Sequence, residues 1–289
     1  MANHKTIGII GSGQMGSGIA QVCAVAGFDV WLYDIAHEQL QKAHKNIETS
    51  LEKLAAKGKL LPEKAKSAMQ HLNITTQFGD LKKCSLCIEA ATEKEALKKK
   101  IFKELDELTG PETILATNTS SIPITDLAAA TKRPDKIIGM HFMNPVPLMA
   151  LVEVIRGKKT SDETHQKTIE LTKKLGKTPV TVKDSPGFVI NRILAPMLNE
   201  AVWALQEGLA TKEDIDTAMK EGCHFPMGPL ALADFVGLDT CLFILEVMHK
   251  DLKNDKFKPC PLLKKYVEEK KLGRKTGEGF YSYASTIVR

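Results

Sequence analysis

Two groups of residues in this chain have the types and spacing that chemistry needs. The first is Gly11-Ser12-Gly13-Gln14-Met15-Gly16, with Asp34 further on. A lone G-x-G-x-x-G is weak evidence. Here a β-branched run at 7–10 precedes it, a helical pattern at 14–26 follows, and Asp34 ends a second strand pattern at 29–33. That order is what a dinucleotide-binding turn requires. Gly11 permits the tight turn, Gly13 lets the backbone approach a pyrophosphate, and Gly16 lets the helix pack closely. Ser12, Gln14 and Met15 belong to the same cofactor-binding turn. The helix N-terminus offers unpaired amides and partial positive charge to phosphates. Asp34 is placed to accept hydrogen bonds from the adenosine ribose, and its charge repels a 2′-phosphate. NAD is therefore expected over NADP, and 34–37 contains no arginine to reverse the preference.

The second group lies where strand patterns end. The pattern at 86–91 leads into Thr92-Glu93, that at 113–117 into Asn118-Thr119-Ser120-Ser121, and that at 137–141 into Phe142-Met143-Asn144-Pro145. Ligands of open parallel sheets bind outside the carboxyl ends of the strands, so these clusters would share one rim. His141 is the candidate general base, because an imidazole titrates near neutrality. A lone histidine is more often a hydrogen-bonded structural residue. Glu153 changes that reading. It sits in the strand pattern Leu151-Val152-Glu153-Val154-Ile155, where a carboxylate is costly unless paired. Pairing with His141 would hold the tautomer and stabilise the imidazolium. The remaining histidines lack comparable partners and read as surface or packing residues. Cys84 and Cys87 form a C-x-x-C without a second pair, so they read as buried inert thiols and no metal site is expected.

The elements that must position these groups follow from the rest of the chain. With 289 residues, 43% hydrophobic and 26% charged, it is ordinary globular composition on the scale of two domains. A net charge of +5 is too small to argue for nucleic acid. No apolar stretch is long enough to span a membrane, and the first residues show no signal peptide. A cytoplasmic protein is expected. The fold class expected is an α/β Rossmann-type dinucleotide-binding domain over 1–184, with a helical excursion at about 37–70, followed by an all-α C-terminal domain over 185–289. Alternating strands and helices predict a parallel sheet covered on both faces, with further strands at 73–76, 151–155 and 179–182. After Asp184-Ser185-Pro186-Gly187 the patterns are helical: 189–205 with a bend at Pro196, then 230–235, 239–249 and 261–271. Thr211-Lys212-Glu213-Asp214 reads as a helix N-cap. Asn191 and Arg192 open the first long helix, where a polar side chain could face the first domain.

On these motifs the chain resembles the L-3-hydroxyacyl-CoA dehydrogenases, especially the short single-function 3-hydroxybutyryl-CoA dehydrogenases of bacteria. The resemblance spans 7–283. It is carried by the glycine turn, by Asn118-Thr119-Ser120-Ser121, and by His141-Phe142-Met143-Asn144-Pro145-Val146-Pro147 with Leu151-Val152-Glu153-Val154. Asp184 to Arg192 and Gly277-Glu278-Gly279-Phe280-Tyr281 complete it. It implies that His141 takes the proton of the C3 hydroxyl while hydride leaves for the nicotinamide, and that Glu153 partners it. It implies that Ser120 and Asn191 position the reacting oxygen and thioester, and that Asn144 lies near both nicotinamide and substrate. By the same resemblance Glu93 and Lys98 line the NAD site, Lys275 lies more distally, and Ser50 and Lys57 contact coenzyme A. A homodimer and an acyl-CoA thioester substrate are implied as well.

Two other readings stay open at this stage. A related β-hydroxyacid dehydrogenase would act on a free acid and would carry a catalytic lysine on the first long helix. No lysine occurs between Val189 and Trp203. A non-enzymatic, crystallin-like protein of the same fold would not need His141, Glu153, Ser120 and Asn191 together.

Overall fold

The structure, a computed structural model, describes residues 6–283. Contacts divide the chain into two units, Met1–Ser185 and Pro186–Arg289.

The first unit is α/β. Its elements begin with β1 (Thr6–Ile10), α1 (Gln14–Val25), β2 (Asp29–Tyr33), α2 (His37–Ala56), α3 (Pro62–Gln70), β3 (Leu72–Thr75) and β4 (Leu86–Glu89). They continue with α4 (Glu95–Leu108), β5 (Ile114–Thr117), α5 (Ile124–Ala128), β6 (Ile137–Phe142), β7 (Leu151–Arg156), α6 (Asp162–Lys174) and β8 (Thr178–Lys183). Every residue of β4, β5 and β6 is buried, as expected of strands covered on both faces. The helical excursion is two helices, because Gly58 turns at φ +64° and Pro62 starts a new helix at its first position. One buried stripe on α2, Leu40, Ala43, Ile47 and Leu51, fastens it to the core.

The strand order is β3-β2-β1-β4-β5-β6-β7-β8. Strands β3 to β6 run parallel, so the turn at Gly11 and the segments after β4, β5 and β6 all leave from one edge. The order reverses beside β1, which is where such sheets hold a dinucleotide. One expectation is corrected here: the sheet is mixed. β7 runs antiparallel to β6, and β8 is parallel to β7. The connection between β6 and β7 has no crossover helix, so the chain turns straight back.

The second unit is helical: α7 (Ile190–Gln206), α8 (Lys212–Cys223), α9 (Pro229–Val236), α10 (Leu238–Leu252) and α11 (Pro261–Glu268). α7 continues past Pro196, which lies inside the helix. The Thr211 hydroxyl accepts the Asp214 amide at the start of α8, the cap that the sequence signals. Two buried aspartates tie down the far end of the chain. Asp234 accepts the amides of Phe280 and Tyr281 and the Tyr283 hydroxyl, and Asp216 accepts the amides of Leu230 and Ala231 and the Tyr281 hydroxyl. Gly279 and Gly273 lie so close to Asp234 that neither has room for a Cβ.

Candidate active site

The glycine turn is built as its spacing implies. Gly11 has φ +100°, open to glycine at little cost, and a Cβ there would stand 2.7 Å from the Ala90 carbonyl. A Cβ at Gly16 would run into the Gly11 carbonyl, so Gly16 is needed by the turn itself. Around Gly13 nothing lies within 4 Å of a Cβ, which leaves open space above the backbone. No side chain caps α1, and its first turn carries no acid. The turn therefore keeps amides and positive end charge for a phosphate, and the residues fit a dinucleotide pyrophosphate.

Asp34 is anchored to this turn. Its Oδ2 accepts the Ser12 amide and hydroxyl, each at 2.8 Å, and its Oδ1 accepts the Ala36 amide. A cavity of about 460 Å³ beside it is lined by Tyr33, Phe78, Leu97 and Ile101 together with Gly11 and Gly13. On the other side of the turn a cavity of about 440 Å³ runs between Ser12–Gln14, the segment Asn144–Pro147, and one face of α2 made by Gln39, Lys42, Asn46 and Ser50. A neighbouring cavity of about 450 Å³ continues through Ser50, Lys53, Lys57 and Lys59 to Pro147 and Leu148. Asn144 and Ser50 thus line one groove, and Ser50 and Lys57 the next.

At the strand ends, His141 faces Glu153 directly across the antiparallel register. Its Nδ1 lies 2.8 Å from Glu153 Oε2, and the pair is 10% and 1% exposed at the side chains. A carboxylate in its ionised form only accepts, so in that form of the pair Nδ1 is the donor of this bond. The antiparallel return of β7 is what makes this pairing: it brings a residue twelve positions on to the strand end. Asn118 Oδ1 accepts the Phe142 amide at 2.9 Å, tying the end of β5 to the end of β6.

Glu93 and Lys98 are brought together in one hydrogen-bonded cluster at the ends of β4 and β5. Lys98 is 1% exposed and donates to Glu89 Oε1 at 2.6 Å and to the Ala91 carbonyl at 3.2 Å, and it pairs with Glu93 Oε2 at 3.2 Å. Glu93 Oε1 accepts the amides of Ser120 and Ser121 and the Ser121 hydroxyl. Ser120 is thereby held by its backbone. Burial pushes Glu93 upward, but Lys98 and the hydroxyls of Thr119 and Ser121 outweigh it and hold the carboxyl below the usual range. Burial also raises Glu89, and there it wins.

In the second unit, Asn191 lies in the first turn of α7. The Arg192 guanidinium stacks 4.8 Å over the Phe257 ring, and its buried Nη1 has no hydrogen-bond acceptor among the described residues. Lys275 is paired with Asp239, the acid of the first turn of α10.

Cys84 and Cys87 are buried, and a hydrogen bond between them together with burial pushes Cys87 well above the usual thiol range. Burial pushes Cys23 up to about 12. Gln39, Lys42 and Asn46 were legible but unread: with Ser50 they stand one position before each apolar residue of the α2 stripe, and so share a face. Phe78 gave no signal, since it lies in a short 3₁₀ turn.

Two family models cover the described chain. Residues 6–185 match the NAD binding domain of 3-hydroxyacyl-CoA dehydrogenase, and residues 187–283 match its C-terminal domain. The chain belongs to the 3-hydroxyacyl-CoA dehydrogenase family. Its first unit is the family's NAD-binding domain. Among its relatives is a "Probable 3-hydroxybutyryl-CoA dehydrogenase" of Deinococcus radiodurans, 55% identical over 276 residues that make up 96% of this chain and 99% of the relative. The mitochondrial hydroxyacyl-coenzyme A dehydrogenase of Homo sapiens is 46% identical over 96% of this chain and 91% of its own length. The crystal structure of (S)-3-hydroxybutyryl-CoA dehydrogenase PaaH1 from Ralstonia eutropha superposes with a TM-score of 0.95 at 52% identity, covering 97% of this chain and 99% of that one.

Proposed function

We propose that this family member interconverts (S)-3-hydroxybutyryl-CoA and acetoacetyl-CoA with NAD, and that His141 and Glu153 carry the proton transfer. The observation that carries this reading is the buried His141–Glu153 bond at the end of β6, on the same sheet edge as the glycine turn. The short acyl chain rests on the names of the relatives above. When bound, NAD accepts the hydride. The protein's part is acid–base and positional. Nε2 of His141 takes the proton of the C3 hydroxyl, Glu153 stabilises the imidazolium that results, and the reverse reaction returns that proton to the ketone oxygen.

Gly11, Ser12, Gly13, Gln14, Met15, Gly16 and Asp34 hold the dinucleotide. Glu93 and Lys98 shape its site by fixing the Asn118–Ser121 turn. Ser120 and Asn144 orient both ligands, and the α2 face with Ser50 and Lys57 takes the coenzyme A phosphates. Asn191 and Lys275 join this proposal on resemblance alone. The same reading includes a cytoplasmic homodimer. Six free cysteines suit a reducing compartment, and Phe235, Val236 and Phe243 stay exposed while their neighbours Leu230, Ala233 and Leu245 are core. No helix among the described residues is long and apolar enough to cross a membrane.

Oxidation of NADH followed at 340 nm tests the function. Turnover is expected with acetoacetyl-CoA and not with free acetoacetate. Equal rates on the free acid would return the assignment to the β-hydroxyacid dehydrogenases. For the cofactor, Asp34→Asn is expected to weaken NADH and to narrow the gap to NADPH by about tenfold, the worth of one lost charge-assisted contact. An unchanged ratio would remove Asp34 from the ribose site.

A further inference from the structure

Lys177 lies just before β8 and has no part in the site described above. It is 9% exposed. Its ammonium donates to the Val146 carbonyl at 2.6 Å and to the Met149 carbonyl at 2.8 Å. Among the described residues no carboxylate pairs with it within 4 Å, although such a partner is the usual companion of a buried lysine. Burial holds it below the ordinary lysine range. A lysine kept at that cost for two backbone carbonyls is spent on holding a segment in place, and protonated or neutral it still donates N–H.

The segment it holds is the wall of the groove. Asn144, Pro145, Val146 and Pro147 line the cavity at the glycine turn, and Pro145, Pro147 and Leu148 line the lysine-rich cavity beyond. From the other side α1 braces the same segment. Gly18 lies so close that a Cβ there would sit 2.8 Å from Val146 Cβ. Within the segment, the amides of Leu148 and Met149 both donate to the Pro145 carbonyl at 3.0 Å. The wall is thus clamped between a donor and a bare backbone, with little regular structure of its own.

We infer that Lys177 is a positioning residue for acyl-CoA: by holding the carbonyls of Val146 and Met149 it fixes the Asn144–Leu148 wall against which the thioester's coenzyme A portion is laid. This rests on the proposed function above. It separates two binding events. The dinucleotide is held mainly by the glycine turn and Asp34, which Lys177 does not touch, and shares with the wall only Asn144 at the glycine-turn cavity, so the thioester should feel its loss far more strongly.

The test compares Lys177→Met, Lys177→Arg and wild type by steady-state kinetics with acetoacetyl-CoA and NADH, by NADH fluorescence titration, and by amide hydrogen exchange at Leu148 and Met149. Lys177→Met is expected to raise the KM for acetoacetyl-CoA about tenfold and to speed exchange at both amides, while NADH affinity stays within about twofold. Lys177→Arg keeps donors for the carbonyls and is expected to recover part of the KM. A lower melting temperature with KM and exchange unchanged would reduce Lys177 to a stabilising residue and overturn the inference. Should Lys177→Met not fold, Gly18→Ala presses on Val146 from the opposite side and is expected to give the same split. Were wild type to bind NADH yet fail to reduce acetoacetyl-CoA, the proposed function would fall, and the exchange measurement would still decide the wall.

Discussion

Two buried pairs of a base with a carboxylate lie on the same edge of the sheet. Lys98 with Glu89 and His141 with Glu153 both join a base to a carboxylate on a strand, and in each the carboxylate is almost completely buried. They differ in the chemistry of the base. Lys98 directs its ammonium to Glu89, Glu93 and the Ala91 carbonyl, and Glu89 also takes the Thr117 hydroxyl and the Ala91 amide. The three ammonium protons of Lys98 are thus all directed to acceptors that shape the loops after β4 and β5. His141 commits Nδ1 to Glu153, and an imidazole works through its other nitrogen. Burial and pairing with a carboxylate are common to both, so they do not by themselves mark the pair proposed to move a proton. What differs is the base: an ammonium only donates, whereas an imidazole can take up and release a proton at a second ring nitrogen.

The contrast can be broken from either side. The largest effect is expected from His141→Gln, which should lower kcat by about a thousandfold or more while NADH affinity survives, because proton transfer is lost and the glycine turn is untouched. Near-normal turnover in single-turnover kinetics would place the base elsewhere. Lys98→Met should do the opposite. It leaves Glu89 buried without its cation, at a cost of about 3–5 kcal/mol in urea unfolding, and Glu89→Gln in the same chain should restore most of it. If Lys98→Met instead spared stability and abolished turnover, the scaffold reading would be wrong.

Smaller effects sharpen the comparison. Glu153→Gln keeps a hydrogen bond to Nδ1 but loses the charge, so kcat should fall by about ten- to a hundredfold. The smallest effect concerns acid stability. The Glu93 carboxyl is held below the usual range, so its contribution to folding is present above the unfolded value of about 4.3 and is lost as pH falls through the lower folded value. Thermal melts between about pH 5 and 3 should therefore decline more steeply for wild type than for Glu93→Gln. Parallel slopes would show that Glu93 gains nothing from its partners.

Much of the site was readable one residue at a time. The glycine spacing and Asp34 announced the turn between β1 and α1 because what each residue does there is local: a positive φ, a missing Cβ, a carboxylate at a strand end. Glu153 was readable because a charge between Val152 and Val154 needs a partner. Other parts were not. Glu93 and Lys98 look alike as exposed helix-start residues on paper, and only the turn after β4 folds Lys98 under the loop. Lys177 follows Gly176 in an unremarkable Lys-rich stretch, and nothing in its neighbours points to carbonyls at 146 and 149.

The sequence by itself determined the order of strands and helices, the change of character after Asp184, and the cofactor turn. These depend on periodicity and on conformations that residues next to each other impose. Tertiary structure decided the direction of β7, which makes the sheet mixed and sets Glu153 against His141. It also decided which lysine is buried and which lines a groove. Strand direction and side-chain burial are settled by packing between distant segments, and an alternating apolar pattern reads the same whichever way its strand runs.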